Sequence, residues 1–418
     1  MEPLYINVVL FMLFLVYLFY TKRSLISKVL VSIWIICFVS GCIYAQFALP
    51  GLIDVSYASV IYLDLCIFIY LYPIIVNEVH MDVNCSKSTI YFCEQLLLIL
   101  GILFTVPFFE NVIQFVSTFS APSDAIYDVY SDKMDVDNTK QIVTWYDPIS
   151  LQVMKSFGRF NKITLFLAFI IATKKHKISY TRLFFYFIAI FTPVVGDINT
   201  SGRGVFAFFI INVLILYLMS KNNIKVQIQR PILLAAGAII GICIVGIVII
   251  TQIRADVYEA DIWIWTSLYF GEGPVRFCNY MWNIKCSMEG DNSFSFFKEI
   301  LGFDTIQSSL ERRVIWNESV TGVDPIRFYT FIGDWFSDLG GYFTLLFITF
   351  LSYYMNKFLR KKEQGLTGSF LAYIYLYIFA TGYTYFCFKS YYGQYTVAFG
   401  VVVLFFMTKI GRSKDLLH

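Results

Sequence analysis

Residues 3–20, PLYINVVLFMLFLVYLFY, carry no charge, and residues 27–48, SKVLVSIWIICFVSGCIYAQFA, carry one lysine at the edge. Apolar runs of about 17 to 25 residues are long enough to cross a hydrocarbon core as α-helices. The first run has no basic residue before it, whereas Lys22, Arg23 and Lys28 follow it, so it reads as an uncleaved first helix rather than a secretory leader. Within lipid each backbone donor and acceptor must find its partner inside its own segment, which selects helices, and no alternating pattern competes with them.

Extending this reading along the 418 residues gives eleven candidate spans, at 3–20, 27–48, 55–77, 90–109, 158–173, 183–197, 204–220, 232–252, 331–355, 369–386 and 393–409. Composition agrees with it: 58% of residues are hydrophobic and 15% charged, with a mean hydropathy of +0.66. The expectation is an all-α, polytopic membrane protein. It forms a single integral membrane domain over 1–418, with two large connectors, 110–157 and 253–330.

The short connectors orient the chain. Lys22 and Arg23, Lys87, Lys174 to Arg182, Lys221 to Arg230, Lys357 to Lys362 and the C-terminal tail all fall on one side. Short basic connectors stay in the cytoplasm, which puts the N-terminus outside, the C-terminus inside and both large connectors outside. The second of these holds 11 acidic against 7 basic side chains. Chemistry on that face has no access to ATP or nucleotide sugars. The net charge of +3 is accounted for by the cytoplasmic connectors, which meet anionic lipid headgroups, and nothing points to nucleic acid. The nine cysteines show no zinc or redox spacing; Cys278 and Cys286 share the long connector and either pair or stay free. His80, His176 and His418 all fall on the cytoplasmic side, so no histidine is available outside.

The outer side holds the candidate functional groups. In Asn199-Thr200-Ser201-Gly202-Arg203-Gly204 an arginine stands between two glycines at the start of a span, where guanidinium and exposed amides can cradle a phosphate; headgroup snorkelling is the alternative. Arg254 and Arg327 stand at the two edges of the long connector, at the depth of a lipid-borne diphosphate, with the same alternative. Arg312 and Arg313 lie on an amphipathic stretch with Glu311, either meeting substrate or forming a solvated face. The segment Ala260 to Met281 reads as one or two interfacial helices, since Trp263, Trp265, Tyr269, Phe270 and Phe277 suit headgroup depth. Glu272, between Gly271 and Gly273, reads as a turn carboxylate, a general base or simply solvated. Asp334 and Asp338 share a helix face near its start, where they act as base, orient an arginine or cap the helix. Asp64, mid-span, is expected against another helix.

From about residue 150 to 410 this layout resembles the O-antigen and oligosaccharide repeat-unit polymerases, the Wzy-type family. The resemblance lies in the many spans, the two large outer loops, Ser201-Gly202-Arg203-Gly204, Tyr269-Phe270-Gly271-Glu272-Gly273 followed by Phe277 and Asn279, and Thr330-Phe331-Ile332-Gly333-Asp334-Trp335-Phe336-Ser337-Asp338-Leu339-Gly340. It implies a fold similar to the GT-C-like membrane glycosyltransferases and a cofactor-free, metal-independent glycosyltransferase. Its donor and acceptor would be undecaprenyl-diphosphate-linked oligosaccharides, joined at the outer face of the bacterial cytoplasmic membrane, with a chain-length regulator as a further partner. It makes Arg203, Arg254, Glu272 and Asp334 the catalytic candidates, and Arg327, Arg312, Arg313, Tyr269 and Asp338 the substrate-binding ones. One family feature, an arginine followed eleven residues later by glycine, matches no outer arginine here. The competing readings are a lipid-linked oligosaccharide flippase, for which repeated halves are expected, and an O-antigen ligase, a family that uses an outer histidine.

Overall fold

The structure, a computed structural model, describes residues 2–47, 53–119, 153–224, 261–306 and 328–415, apart from positions 82, 84, 155, 176, 177, 199–202, 285–287, 362 and 363, with isolated positions elsewhere. These residues are helical, without strands; two isolated bridges join Val83 to Gln364 and Thr330 to Tyr385. In chain order the helices are α1 (Glu2–Tyr20), α2 (Leu25–Phe47), α3 (Tyr57–Val76), α4 (Lys87–Leu103), α5 (Thr105–Phe119), α6 (Asn161–Lys174), α7 (Tyr180–Ile198), α8 (Arg203–Ser220), α9 (Ile262–Asn279), α10 (Ser295–Ile300), α11 (Thr330–Leu359), α12 (Leu366–Thr381) and α13 (Tyr391–Asp415).

Local chemistry sets several of the boundaries. Ser56 and Ser86 accept hydrogen bonds from the Ser59 and Thr89 amides and start α3 and α4, satisfying donors that a helix start leaves open. Asp261 does the same for α9 through the Trp263 amide. At Gly340, with φ 72° and ψ 168°, α11 breaks into a limb Thr330–Leu339 and a limb 341–359. Glycine meets little steric resistance to that conformation.

Among the described residues, α1, α2, α3 and the 391–411 part of α13 are long and apolar enough to cross a membrane, and α4 with α5 adds one more if that pair, bent by 49°, is a single broken span. The apolar parts of α6, α7, α8 and α12 are shorter. The eleven spans read from the sequence are therefore matched only in part. A window of apolar residues does not show where a helix stops: the 14 residues of α6 reach about 21 Å, short of a core about 30 Å thick. The candidate span 232–252 lies almost wholly outside the described residues. Helix α5 continues to Phe119, into the stretch read as the first outer connector.

The chain packs as two compact units, a subdivision that the run of apolar spans does not reveal. One comprises Met1–Val79, Glu259–Lys362 and Ala372–Val397, the other His80–Tyr258, Glu363–Leu371 and Ala398–His418. In the second, α7 lies against α4 and α5, and Glu94, 3% exposed, meets Lys175 at 3.0 Å and Arg182 at 3.4 Å. In the first, α9 lies along α2 and α11 along α3, around the fully buried Trp34, Tyr70, Phe331, Trp335 and Phe379. Tyr70 and Tyr375 stack at 4.0 Å, and each hydroxyl donates to the other's carbonyl, at 3.1 and 2.6 Å, so neither buried phenol lacks an acceptor.

The α2–α9 contact buries much of the segment 260–281, which the sequence reads as one or two interfacial helices. The segment is one helix, and Gly271 to Val275 are buried within the unit. A Cβ on Gly271 would stand 2.2 Å from the Gly41 nitrogen, and one on Gly273 would stand 2.0 Å from the Tyr383 carbonyl oxygen. These glycines let helix and turn backbones approach closely, as small residues do between membrane helices. At the start of α9 an aromatic stays at the surface: Trp263 is 77% exposed.

Candidate functional site

The polar centre of the first unit is built on the short limb Thr330–Leu339. The backbone before and at its start pairs with the turn after α12: the Tyr329 and Thr330 amides donate to the Thr384 carbonyl, and the Phe331 amide to that of Gly382. Thr330 is held at φ 69°, a conformation rare for a residue with a side chain. Its hydroxyl accepts from the Gly333 amide at 3.2 Å.

Asp334 and Asp338 are each 2% exposed and point at neighbouring segments. Asp338 accepts from the Asn292 amide at 3.0 Å and from the Ser293 amide at 2.6 Å. Asp334 accepts from the Phe386 amide at 2.6 Å and from the Asn292 side-chain amide at 3.1 Å, with Lys389 Nζ 3.7 Å from its Oδ1. The two carboxylates thus tie the 288–294 loop and the 382–389 turn onto one helix face. Capping of α11, one sequence reading of this pair, does not occur: Tyr329 is the cap and makes no side-chain cap bond. The cation beside Asp334 is a lysine where an arginine was expected.

Glu272 is not in a turn. It lies inside α9, 2% exposed, with the Arg276 Nε 2.8 Å away. Gly271, Gly273 and Pro274 look like turn residues in sequence, but close packing on α2 and on the 381–385 turn accounts for both glycines. Burial pulls the Arg276 guanidinium down, and the charge of Glu272 with Tyr44 and Tyr329 outweighs it, holding the group above its ordinary value. Arg276→Leu would strand a buried carboxylate and is expected to lower unfolding stability by about 3 to 5 kcal/mol, with much of the loss recovered in the double variant carrying Glu272→Leu. Thermal unfolding in detergent checks this, and equal losses in single and double variants would contradict it.

Tyr269, expected at the substrate site, belongs to a row of half-buried rings. It meets Phe328 at 5.8 Å, Phe328 meets Tyr385 at 5.9 Å, and Lys389 Nζ sits 4.9 Å above the Tyr385 ring. The structure therefore brings Tyr269, Asp334 and Asp338 into one unit, Tyr269 through the aromatic row and Asp334 through Lys389. Arg203 is the first residue of α8, in the other unit, and its side chain is not among the described ones. Arg254, Arg312, Arg313 and Arg327 lie outside the described residues. Cys278 is a free, buried thiol, and Cys286 lies outside the described residues.

Sequence reading missed Lys389, Asn292, Tyr385 and Arg276. A signal existed for Lys389: it is a lone lysine in a short connector that the sequence reading puts on the outer side. Asn292 and Tyr385 carry no such signal, since their importance comes only from what the fold places beside them.

Fold and site together define a helical protein with several apolar helices able to cross a membrane and a buried polar centre in one unit. In comparison with known proteins, no family model, no curated protein and no solved structure matches the chain.

Proposed function

We propose that the chain is a membrane glycosyltransferase that polymerises undecaprenyl-diphosphate-linked oligosaccharide repeat units at the outer face of a bacterial cytoplasmic membrane. The observation carrying this reading is the half-buried ring row Tyr269, Phe328 and Tyr385 ending beneath the Lys389 ammonium. Sugar rings lay their apolar faces on aromatic side chains, and a diphosphate leaving group needs a cation beside it. With the orientation read from the basic connectors, Lys389, Asp334, Asn292 and Tyr269 all fall on the outer side. In the reaction the anomeric bond to the diphosphate breaks, the acceptor hydroxyl forms the new glycosidic bond, and its proton ends on the departing diphosphate. Asp334 and Asp338 are positioning residues in this scheme, because their oxygens are already engaged by the loop and the turn. The resemblance of the sequence to the Wzy-type family supports the same class.

Deleting the gene in a strain that makes a polymeric surface glycan is expected to leave a single repeat unit on its anchor, read as collapse of the gel ladder to one band. Loss of all surface repeats would point to a flippase, and polymer left unattached would point to a ligase; either outcome removes the proposal.

A further inference from the structure

Three cations occupy the described part of the first unit near the polar centre, and they differ in what they hold. Lys298 donates to Asp291 at 2.7 Å, and Arg276 pairs with Glu272 at 2.8 Å. Lys389 stands 3.7 Å from Asp334, too far for a hydrogen bond. Among the described residues no side-chain hydrogen bond engages its ammonium, which lies 4.9 Å from the centre of the Tyr385 ring, with the side chain 34% exposed. Three N–H donors are therefore held in place by a carboxylate and a ring and left open on one side.

The surroundings fix this arrangement. The Lys389 amide donates to the Phe386 carbonyl at 3.0 Å, while the Phe386 amide is held by Asp334. The Lys389 carbonyl accepts from the Gln394 side chain at 3.3 Å, and Gln394 in turn accepts from the Phe296 amide at 3.1 Å. Gln394 is 2% exposed, so the backbone on both sides of the lysine is tied down. A solvated lysine needs none of this.

We infer that Lys389 binds a phosphate group, and that the ring row gives the bound glycosyl phosphate a direction, with the phosphate at Lys389 and Tyr385 and the sugars running over Phe328 towards Tyr269. This rests on the glycosyltransferase reading for the sugar, though the phosphate site stands or falls by itself. Asp334 acts through Lys389 as a positioning residue.

The test uses the full chain in nanodiscs and reads thermal midpoint shifts with three probes: inorganic pyrophosphate, a polyprenyl diphosphate built into the disc, and phosphatidylglycerol. Lys389→Met keeps an unbranched stem and removes the charge; Lys389→Arg keeps the charge. Expected are shifts with pyrophosphate and with the polyprenyl diphosphate, apparent affinity weakened about tenfold or more in Lys389→Met, and partial retention in Lys389→Arg. An unchanged midpoint of Lys389→Met without probe shows that its fold is intact; if it is lowered, Lys389→Arg and Lys389→Gln carry the comparison. No shift in the unaltered protein with either diphosphate overturns the inference, as does an equal shift in the uncharged variants. So does an equal response to phosphatidylglycerol, which would make Lys389 a bulk headgroup contact. Phosphate binding that depends on Lys389 beside an intact glycan ladder in the deletion strain would keep the site and remove the polymerase reading.

Discussion

Gly271→Leu is expected to abolish accumulation of folded protein in the membrane, the largest effect of any single change outside the polar centre. The obstacle is backbone, which has nowhere to go: a Cβ at 271 would lie 2.2 Å from the Gly41 nitrogen and 2.3 Å from the Ser40 carbonyl carbon. Gly271→Ala tests the same contact more gently, and overpacking of this kind costs about 1 to 3 kcal/mol or more. Gly41→Ala makes an informative contrast, because there the nearest atoms, a Val275 methyl at 3.1 Å and the Gly271 carbonyl oxygen at 3.3 Å, are tight but need give only a few tenths of an ångström. Gly365, with nothing within 4 Å of a Cβ, is the control. Thermal midpoints and membrane yield should rank Gly365→Ala as least affected, then Gly41→Ala, Gly271→Ala and Gly271→Leu. A Gly271→Leu protein of normal yield and midpoint would show that α9 does not pack on α2 as described.

Asp338→Ala is expected to release the 288–294 loop. The substitution leaves the Asn292 and Ser293 amides without their acceptor in a buried site, at about 1 to 3 kcal/mol for each unsatisfied group. The loop also gives the Met288 amide to the Ser337 carbonyl, and Phe294 packs on Phe347. The loss should therefore appear as local opening before global unfolding. Limited proteolysis should cut near residues 288–294 in Asp338→Ala and spare the unaltered protein, with Asp338→Asn between them because it keeps one acceptor oxygen. Equal resistance in all three would mean that the carboxylate does not hold the loop. Since Asn292 also reaches Asp334, the same variant should weaken whatever depends on Lys389.

These two positions also show what a single sequence can carry. Hydropathy located α1, α2 and α3 to within a few residues, because the bilayer requirement acts on each segment alone. It failed at 269–274, where glycine and proline signal a turn when read locally. In the fold those glycines admit the α2 backbone and the Tyr383 carbonyl, contacts that link residues far apart in the chain. The Asp334 and Asp338 pair was legible as two acids on one helix face. Its partners were not, since Asn292, Ser293 and Phe386 are brought there only by tertiary structure. Span nine, read as 331–355, falls on one helix that Gly340 interrupts and that is not among the described helices long and apolar enough to cross a membrane; its first limb is buried and carries Asp334 and Asp338.

The break at Gly340 means that the two limbs of α11 answer to different constraints. The limb Thr330–Leu339 is riveted to a loop and a turn, while a side chain at 340 itself would meet nothing within 4 Å. A continuous helix would carry any displacement of its far end along one axis into Asp334 and Asp338. The break interrupts that axis, so the two carboxylates take their placement from the loop and the turn that they bind and not from the register of the limb 341–359.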